Sequence, residues 1–417
     1  MDLGLKEGDV EYAIECFKRT FTTSAGKNCD WFLKIVNTVR RLKKRGTNVT
    51  DVLLREGTAP LVGIVKDFYF VDELNEIRVS KEEIREFVRI LLEKSERGMD
   101  FVDFSVGKRK SIDFSMSMYG CGVFRINYSQ DVNGDTLNIR VLDFELPDFD
   151  DLKFPEMYHR FFKQKLLVSR KMNVKDREVV KKRVSGGGLI LHAGETGSGK
   201  TTSIASELKF LAENIDGIII TYEDPVEYRF IPTLYPRVRQ IEIYRHIYPE
   251  EIFRHFLRNS PSVGMIGEIR TKEEYLNVLD LAGRGHLVIT TLHARNVVES
   301  LYSFLNVVGN ESRDLFFSVL RAVVCHKLYL NKMGEIVPFY EILIIDNTVR
   351  SVFLKDTEFN LAKISNYLYK EYKDSLANKG VFYSFEHCLM DRIREKMIVS
   401  EEEKAYLKAW IESDYWV

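Results

Sequence analysis

The sequence predicts an α/β fold, with a mostly parallel α/β domain from about residue 189 onward and a smaller α+β domain before it. Three observations carry this reading. Strand-like apolar runs alternate with helical stretches: "LILHA", "TSIASELKFLAE", "GIIITYED", "PEEIFRHFLRNS", "VGMIGEI", "KEEYLNVLDLAG", "HLVITTLH". Such alternation builds a parallel sheet covered by helices. A glycine-rich stretch, Gly194–Thr201 ("GETGSGKT"), joins the first of these strands to the first helix. Finally, "SGGG" closes a basic run at the point where the pattern changes, and clustered glycines punctuate domain boundaries.

The elements follow in order. A short helix is expected over Val10–Phe21. From Trp31 to Lys44 apolar residues recur at helical spacing, with Gly46 as the stop. "VTDVLL" and "PLVGIVKDFYF" read as short strands. Ser80 and Glu83 form a capping box that opens an amphipathic helix. "SIDFSMSMYG" and "GVFRINYSQ", joined at Gly120-Cys121-Gly122, predict a hairpin, and "TLNIRVLDF" adds a strand. Residues 163–183 carry nine Lys or Arg and read as a solvated helix and linker. After about Leu305 the chain reads as mainly helical, with one β-like patch, "EIVPFYEILII". The expected division is an N-terminal extension (1–30), an α+β domain (31–160), a basic linker (161–188), a P-loop core (189–305) and a mainly helical C-terminal part (306–417).

Composition narrows the function classes. The 417 residues, 45% of them hydrophobic, suffice for two or three cores. The formal net charge of -1 argues against bulk nucleic-acid binding, which needs a basic excess. Five scattered cysteines, none in a CxxC pair, disfavour a disulfide framework and a four-cysteine zinc site, and fit a reducing cytosol. The acidic start "MDLGLKEGDVEY" is no secretory signal. No apolar stretch approaches the ~20 residues that span a bilayer, so a role at a membrane is expected to run through a partner.

The chemistry centres on the glycine-rich loop. "GETGSGKT" fits G-x-x-x-x-G-K-[ST] in the strand–loop–helix setting that this motif requires. Gly194, Glu195, Thr196, Gly197, Ser198, Gly199, Lys200, Thr201 and Thr202 form the expected nucleotide cradle. Backbone N–H groups and the helix N-terminus favour anionic phosphate. Lys200 is expected to reach the β- and γ-phosphates, and Thr201 to place its hydroxyl on Mg²⁺. The expected cofactors are therefore ATP and Mg²⁺.

Acids follow at strand ends. Glu223, Asp224 and Glu227 crowd the carboxyl end of the second strand, where open α/β sheets place ligands. They fit Mg²⁺ binding through water or polarisation of the attacking water, and equally a solvated acidic loop. Glu268 ends the apolar strand "VGMIGEI" and suits an acid that aligns water or holds Mg²⁺ indirectly. His286 and His293 bracket "HLVITTLH"; seven residues apart on a strand, they point to opposite faces and do not share a metal. Either one of the two belongs near the γ-phosphate, or both are structural histidines. Seven arginines (Arg237, Arg239, Arg245, Arg254, Arg258, Arg270 and Arg284) lie in the same stretch. Arg254 and Arg258, one turn apart on a helix, are candidates for the transition-state arginine that multimeric ATPases often take from a neighbour.

These motifs in this order resemble the secretion ATPase superfamily of type IV pili, type II secretion and type IV secretion. "TYEDPVEY" looks like its Asp box, "VGMIGEIR" like its Walker B with glutamate, and "GRGHLVITTLHA" like its His box. The likeness extends best toward the shorter pilus-retraction branch, through "GTNVTDVLLREGTAPLVGIVKDF" and "IDFSMSMYGCGVFRINYSQ". The resemblance implies a ring hexamer whose subunits carry a PAS-like N-domain and a RecA-like C-domain. It gives Glu223 and Glu268 the catalytic acid positions, His286 and His293 the His-box positions, and Arg254 and Arg258 two family arginines. Arg125 matches an N-domain arginine that reaches a neighbour's nucleotide. Ser262, Thr271, Ile241 and Val123 depart from the family pattern, as does "GRGH" where "ETGH" is usual. The four-cysteine module of the extension and secretion branches is missing.

The expected function is a cytoplasmic hexameric ATPase motor, docked peripherally on an inner-membrane pilus or secretion platform protein, with retraction favoured over extension. Two alternatives stay open: an ATP-binding switch or scaffold with little turnover, and a RecA-like nucleic-acid translocase supported only by the basic run.

Overall fold

The computed structural model describes residues 30–45, 47, 49–64, 67–94, 98–107, 110–118, 122–142, 146–174, 177–224, 226–243, 249–355, 361–371 and 373–413. The expected helix over Val10–Phe21 lies outside them, as do Gly120 and Cys121. The chain divides into two units: residues up to Glu145 together with Pro225–Arg229, and Leu146–Asp224 together with Phe230–Val417.

The first unit is a six-stranded antiparallel sheet in the order β3-β2-β1-β6-β5-β4. Its strands are β1 (Val49–Arg55), β2 (Leu61–Ile64), β3 (Asp67–Phe70), β4 (Ser111–Met118), β5 (Gly122–Asp131) and β6 (Gly134–Leu142). Alternate residues face a single core, for example Phe124, Ile126 and Tyr128 on β5. The helices Asp30–Lys44 and Lys81–Lys94 contribute Phe32, Ile35, Phe87 and Val88 to that core. The capping box forms: Ser80 N–H donates to Glu83 at 2.8 Å and Glu83 N–H to Ser80 Oγ at 3.3 Å.

The second unit holds an eight-stranded sheet in the order β11-β10-β12-β13-β9-β14-β15-β16. These are β9 (Gly188–Ala193), β10 (Ile219–Glu223), β11 (Val238–Glu242), β12 (Val263–Ile266), β13 (Leu287–Leu292), β14 (Leu320–Leu330), β15 (Ile336–Ile344) and β16 (Phe382–Tyr383). Strands β11 through β14 in that order pair in parallel, and β15 and β16 are antiparallel. Every residue of β9, β10, β12 and β13 is buried. That explains their continuous apolar runs, since helices cover both faces of a parallel sheet. Chain order reverses around the central strand β9, so the open crevice lies at its carboxyl end, the end that carries the glycine-rich loop.

Three expectations need correction. The basic run is neither helix nor plain linker: Leu167–Val174 (β7) and Arg177–Val184 (β8) pair as an antiparallel ribbon. Its sequence, "REVVKKRV", has no clean two-residue period, so the pairing of the two strands and not the local pattern reveals the ribbon. The C-terminal part is less helical than expected, because β14 is an eleven-residue strand paired with both β9 and β15. Residues 146–160 pack with the second unit, where Phe149, Phe154 and Tyr158 join its core.

Candidate functional site

The glycine-rich loop leaves β9 and turns into the helix Lys200–Asn214. Gly194, Gly197 and Gly199 all have φ in the left-handed range, at 149°, 79° and 91°. At Gly194 a Cβ would meet Ser198 Oγ at 2.5 Å and the His326 carbonyl oxygen at 2.7 Å, so no larger residue fits. Lys200 Nζ curls back and donates to the Gly194 and Glu195 carbonyls at 2.6 and 2.8 Å. The helix starts at Gly199 with no side-chain cap and no acid in its first turn. By contrast the helices starting at Lys272, Val297 and Phe385 are capped by Thr271, Asn296 and Ser384. The positive helix end at Lys200 therefore stays available to an anion. Glycine backbone, lysine and uncapped helix together fit a phosphate chain, and Thr201, on the first turn, carries the hydroxyl that suits Mg²⁺. Among the described residues no group of three or more His, Cys, Asp or Glu forms a ready-made metal site, so a metal here would rely on Thr201 together with phosphate oxygens and water.

Glu268 sits two residues beyond β12, at the same edge of the sheet. The extension is pinned by Gly267 N–H to Tyr222 O at 2.8 Å and Thr291 Oγ1 to Gly267 O at 2.6 Å. His293 Nε2 lies 2.8 Å from one carboxylate oxygen and Arg270 Nη2 donates to the other at 2.6 Å. Burial pushes the Glu268 carboxyl up, but Arg270, His293 and Lys200 together outweigh it and hold it below the usual carboxylate range. Glu223 ends β10 and is buried; Thr221 Oγ1 and Gln240 Nε2 both donate to its Oε1, at 2.5 and 3.2 Å. Asp224 is exposed beyond it and acts electrostatically on Arg270.

The two histidines part company. His293 joins Glu268, whereas His286 precedes β13 at the other end of the sheet, about 20 Å away at ~3.3 Å per residue. There His286 Nδ1 contacts the Pro261 carbonyl at 2.7 Å and its ring meets Phe256 edge-on. His286 is thus a fold residue and not part of the site. Glu227 belongs to the first unit, where it pairs with Arg125 at 3.7 Å. A guanidinium partner makes it a poor cation ligand. Both oxygens of Glu268 are engaged by donors, which suits water alignment better than metal coordination. Arg254 and Arg258 are exposed on the helix Pro249–Asn259, one turn apart. Arg245 lies outside the described residues; of the other six arginines, Arg270 is the one bonded to Glu268, a pairing that the two-residue spacing alone did not single out.

The family described as "Type II/IV secretion system protein" matches residues 157–336. The chain is 28% identical over 263 residues to the "Type IV pilus ATPase PilU" of Pseudomonas aeruginosa, covering 62% of this chain and 61% of that protein. It is 26% identical over 314 residues to the "Type IV pilus retractation ATPase PilT" of the same organism, covering 74% and 82%. The alignment thus spans only about three fifths of the PilU relative's length. The crystal structure of "the Pilus Retraction Motor PilT and Bound ADP" superposes with a TM-score of 0.68 at 22% identity, over 89% of this chain and 96% of that one, and so shares its fold. The residues that match this family model, 157–336, run from ahead of the phosphate loop to the start of β15, and there the chain is similar to the Type II/IV secretion system proteins.

Proposed function

We propose that this chain is a Mg²⁺-dependent ATPase motor that works as a homo-hexamer and drives type IV pilus dynamics, retraction in preference to extension, from an inner-membrane platform protein. The observation that carries the reading is Glu268: a carboxylate held ionised at the carboxyl edge of the sheet, under the charge of the loop lysine. On this reading the second unit is a RecA-like core and the first a PAS-like domain. The loop from Gly194 to Thr202 holds ATP, and Thr201 orients Mg²⁺, which would neutralise charge on the β- and γ-phosphates. Glu268 aligns the attacking water, His293 fixes the carboxylate's orientation, and Glu223 supplies a second acid from β10. Lys200 stabilises charge on the transferring group. Arg125, Arg254 or Arg258 of a neighbouring subunit completes the charge balance.

The relatives' names support pilus retraction as the work done, and they concern those proteins. The described residues contain no helix long and apolar enough to cross a membrane, which fits docking through a partner. The test is steady-state ATP hydrolysis on size-resolved protein. Activity confined to a hexamer-sized species supports the motor; a hexamer that retains ATP with negligible turnover favours the switch reading.

A further inference from the structure

Beneath the phosphate loop lies a chain of five buried polar side chains that the proposed chemistry does not use. His192 is the penultimate residue of β9, His326 lies on the neighbouring β14, Ser203 and Glu207 stand one turn apart on the loop's helix, and Tyr158 comes from the helix Glu156–Arg160. Tyr158, His192 and Glu207 are fully buried, and Ser203 and His326 nearly so. Tyr158 OH donates to Glu207 Oε1 at 2.7 Å. His192 Nε2 lies 3.0 Å from Glu207 Oε2, and His192 Nδ1 lies 2.8 Å from His326 Nε2. His326 Nδ1 faces Ser203 Oγ at 3.5 Å. The other titratable groups acting on His326 and Glu207 are Lys200 from the loop and Tyr340 from β15, whose ring meets His326 edge-on.

Two arrangements that differ by one proton satisfy the donors and acceptors of this chain. With Glu207 ionised and both imidazoles neutral, His192 Nε2–H and Tyr158 O–H donate to the carboxylate. His192 Nδ1 then accepts from His326 Nε2–H, and His326 Nδ1 accepts from Ser203. This leaves a buried carboxylate with no cation in its own hydrogen-bonded chain, a costly state. One added proton on His326 Nδ1 turns that contact into an N–H donated to Ser203 Oγ. The pair then carries a positive charge opposite Glu207, and no heavy atom has to move. Burial, His192 and the charge of Lys200 hold the His326 imidazole well below the usual histidine range, so His326 is neutral at pH 7. Phosphate oxygens seated on Lys200 carry the opposite charge.

We propose that the His192–His326 pair takes up one proton from solvent when nucleotide phosphates bind at Lys200, so that nucleotide binding at this loop is linked to proton uptake. The proposal rests on reading Gly194–Thr201 as a nucleotide site. These residues touch no reacting atom; they position the loop through Gly194, against which the His326 carbonyl packs.

The test is calorimetric titration of the full chain with Mg²⁺ and either ADP or a non-hydrolysable ATP analogue, near pH 7, in two buffers of different ionisation enthalpy. The expected result is uptake of up to about one proton, with affinity rising up to about tenfold per pH unit as pH falls through this window. His326→Gln keeps one donor and one acceptor but cannot titrate, and it should bind nucleotide without that uptake. Glu207→Gln removes the buried negative charge and should do the same, which covers the case in which one variant fails to fold. The nucleotide's own protons contribute equally to all three proteins. Binding without proton uptake by the unaltered protein, or equal uptake in a folded variant, would overturn the proposal. Absence of any nucleotide binding is a distinct result that would instead sink the nucleotide-site reading.

Discussion

Arg270, His293 and Lys200 decide the state of Glu268. Its partial burial favours the neutral acid, yet Arg270 and His293 contact the carboxylate and Lys200 adds its charge, so the ionised form wins. A folded-state pKa below the ordinary value keeps the base charged across neutral pH, and it is lost only as pH falls through that lowered value. The acidic limb of the hydrolysis profile should therefore lie below the ordinary carboxylate range where Glu268 governs it. Arg270→Ala should move that limb to higher pH in a rate–pH series, and an unmoved limb would remove Arg270 from this role. Lys200→Ala should weaken triphosphate binding by about ten- to hundredfold, the worth of a charge-assisted contact of about 1.5–3 kcal/mol, as read by a fluorescent nucleotide titration. Lys200 and Glu268 were legible because local spacing defines them: a loop motif, and an acid ending an apolar strand. The choice between His286 and His293 needed strand direction. The His192–His326 contact, across 134 residues of sequence, was beyond any local pattern.

At the level of elements, β12 shows how packing supports the site. Gly264 lies in this strand against the ring of Phe256, and a Cβ there would come within 1.9 Å of it. Phe256 is fully buried, with Tyr222 and His286 against it, and cannot swing aside. Gly264→Ala should cost about 1–3 kcal/mol by overpacking and displace the strand that presents Glu268. A chemical denaturation series checks the first effect and the hydrolysis rate the second; a wild-type midpoint would show that the strand has room to shift. The fully buried strands were readable as apolar runs bounded by turns. The β7–β8 ribbon was not, because its basic residues imitate a solvated helix. Strand β14 was missed because "LRAVVCHKLYL" is an apolar run that periodicity cannot assign to strand or helix.

At the scale of the whole chain, two separate cores imply two cooperative units. One is built on Phe32, Phe87 and Phe124; the other on the parallel sheet and its helices. Scanning calorimetry should resolve two transitions, with Mg²⁺ and ADP raising the larger. At a hundredfold excess over Kd the gain is about 2.7 kcal/mol. A single transition, or nucleotide acting only on the smaller one, would contradict this division of labour. The order of motifs along the chain conveyed the two-part plan, while the seam near residue 145 depended on which sheet the aromatic residues Phe149, Phe154 and Tyr158 chose to join.

In the proposed mechanism Glu268 acts on water while the loop holds the nucleotide, and Glu268→Gln separates the two. The amide keeps the size and the contact to His293 but carries no charge. ATP hydrolysis by the full chain should fall by two orders of magnitude or more, roughly the contribution of a general base, while nucleotide affinity stays near that of the unaltered protein. Equal loss of binding and hydrolysis, or hydrolysis at the normal rate, would contradict the account.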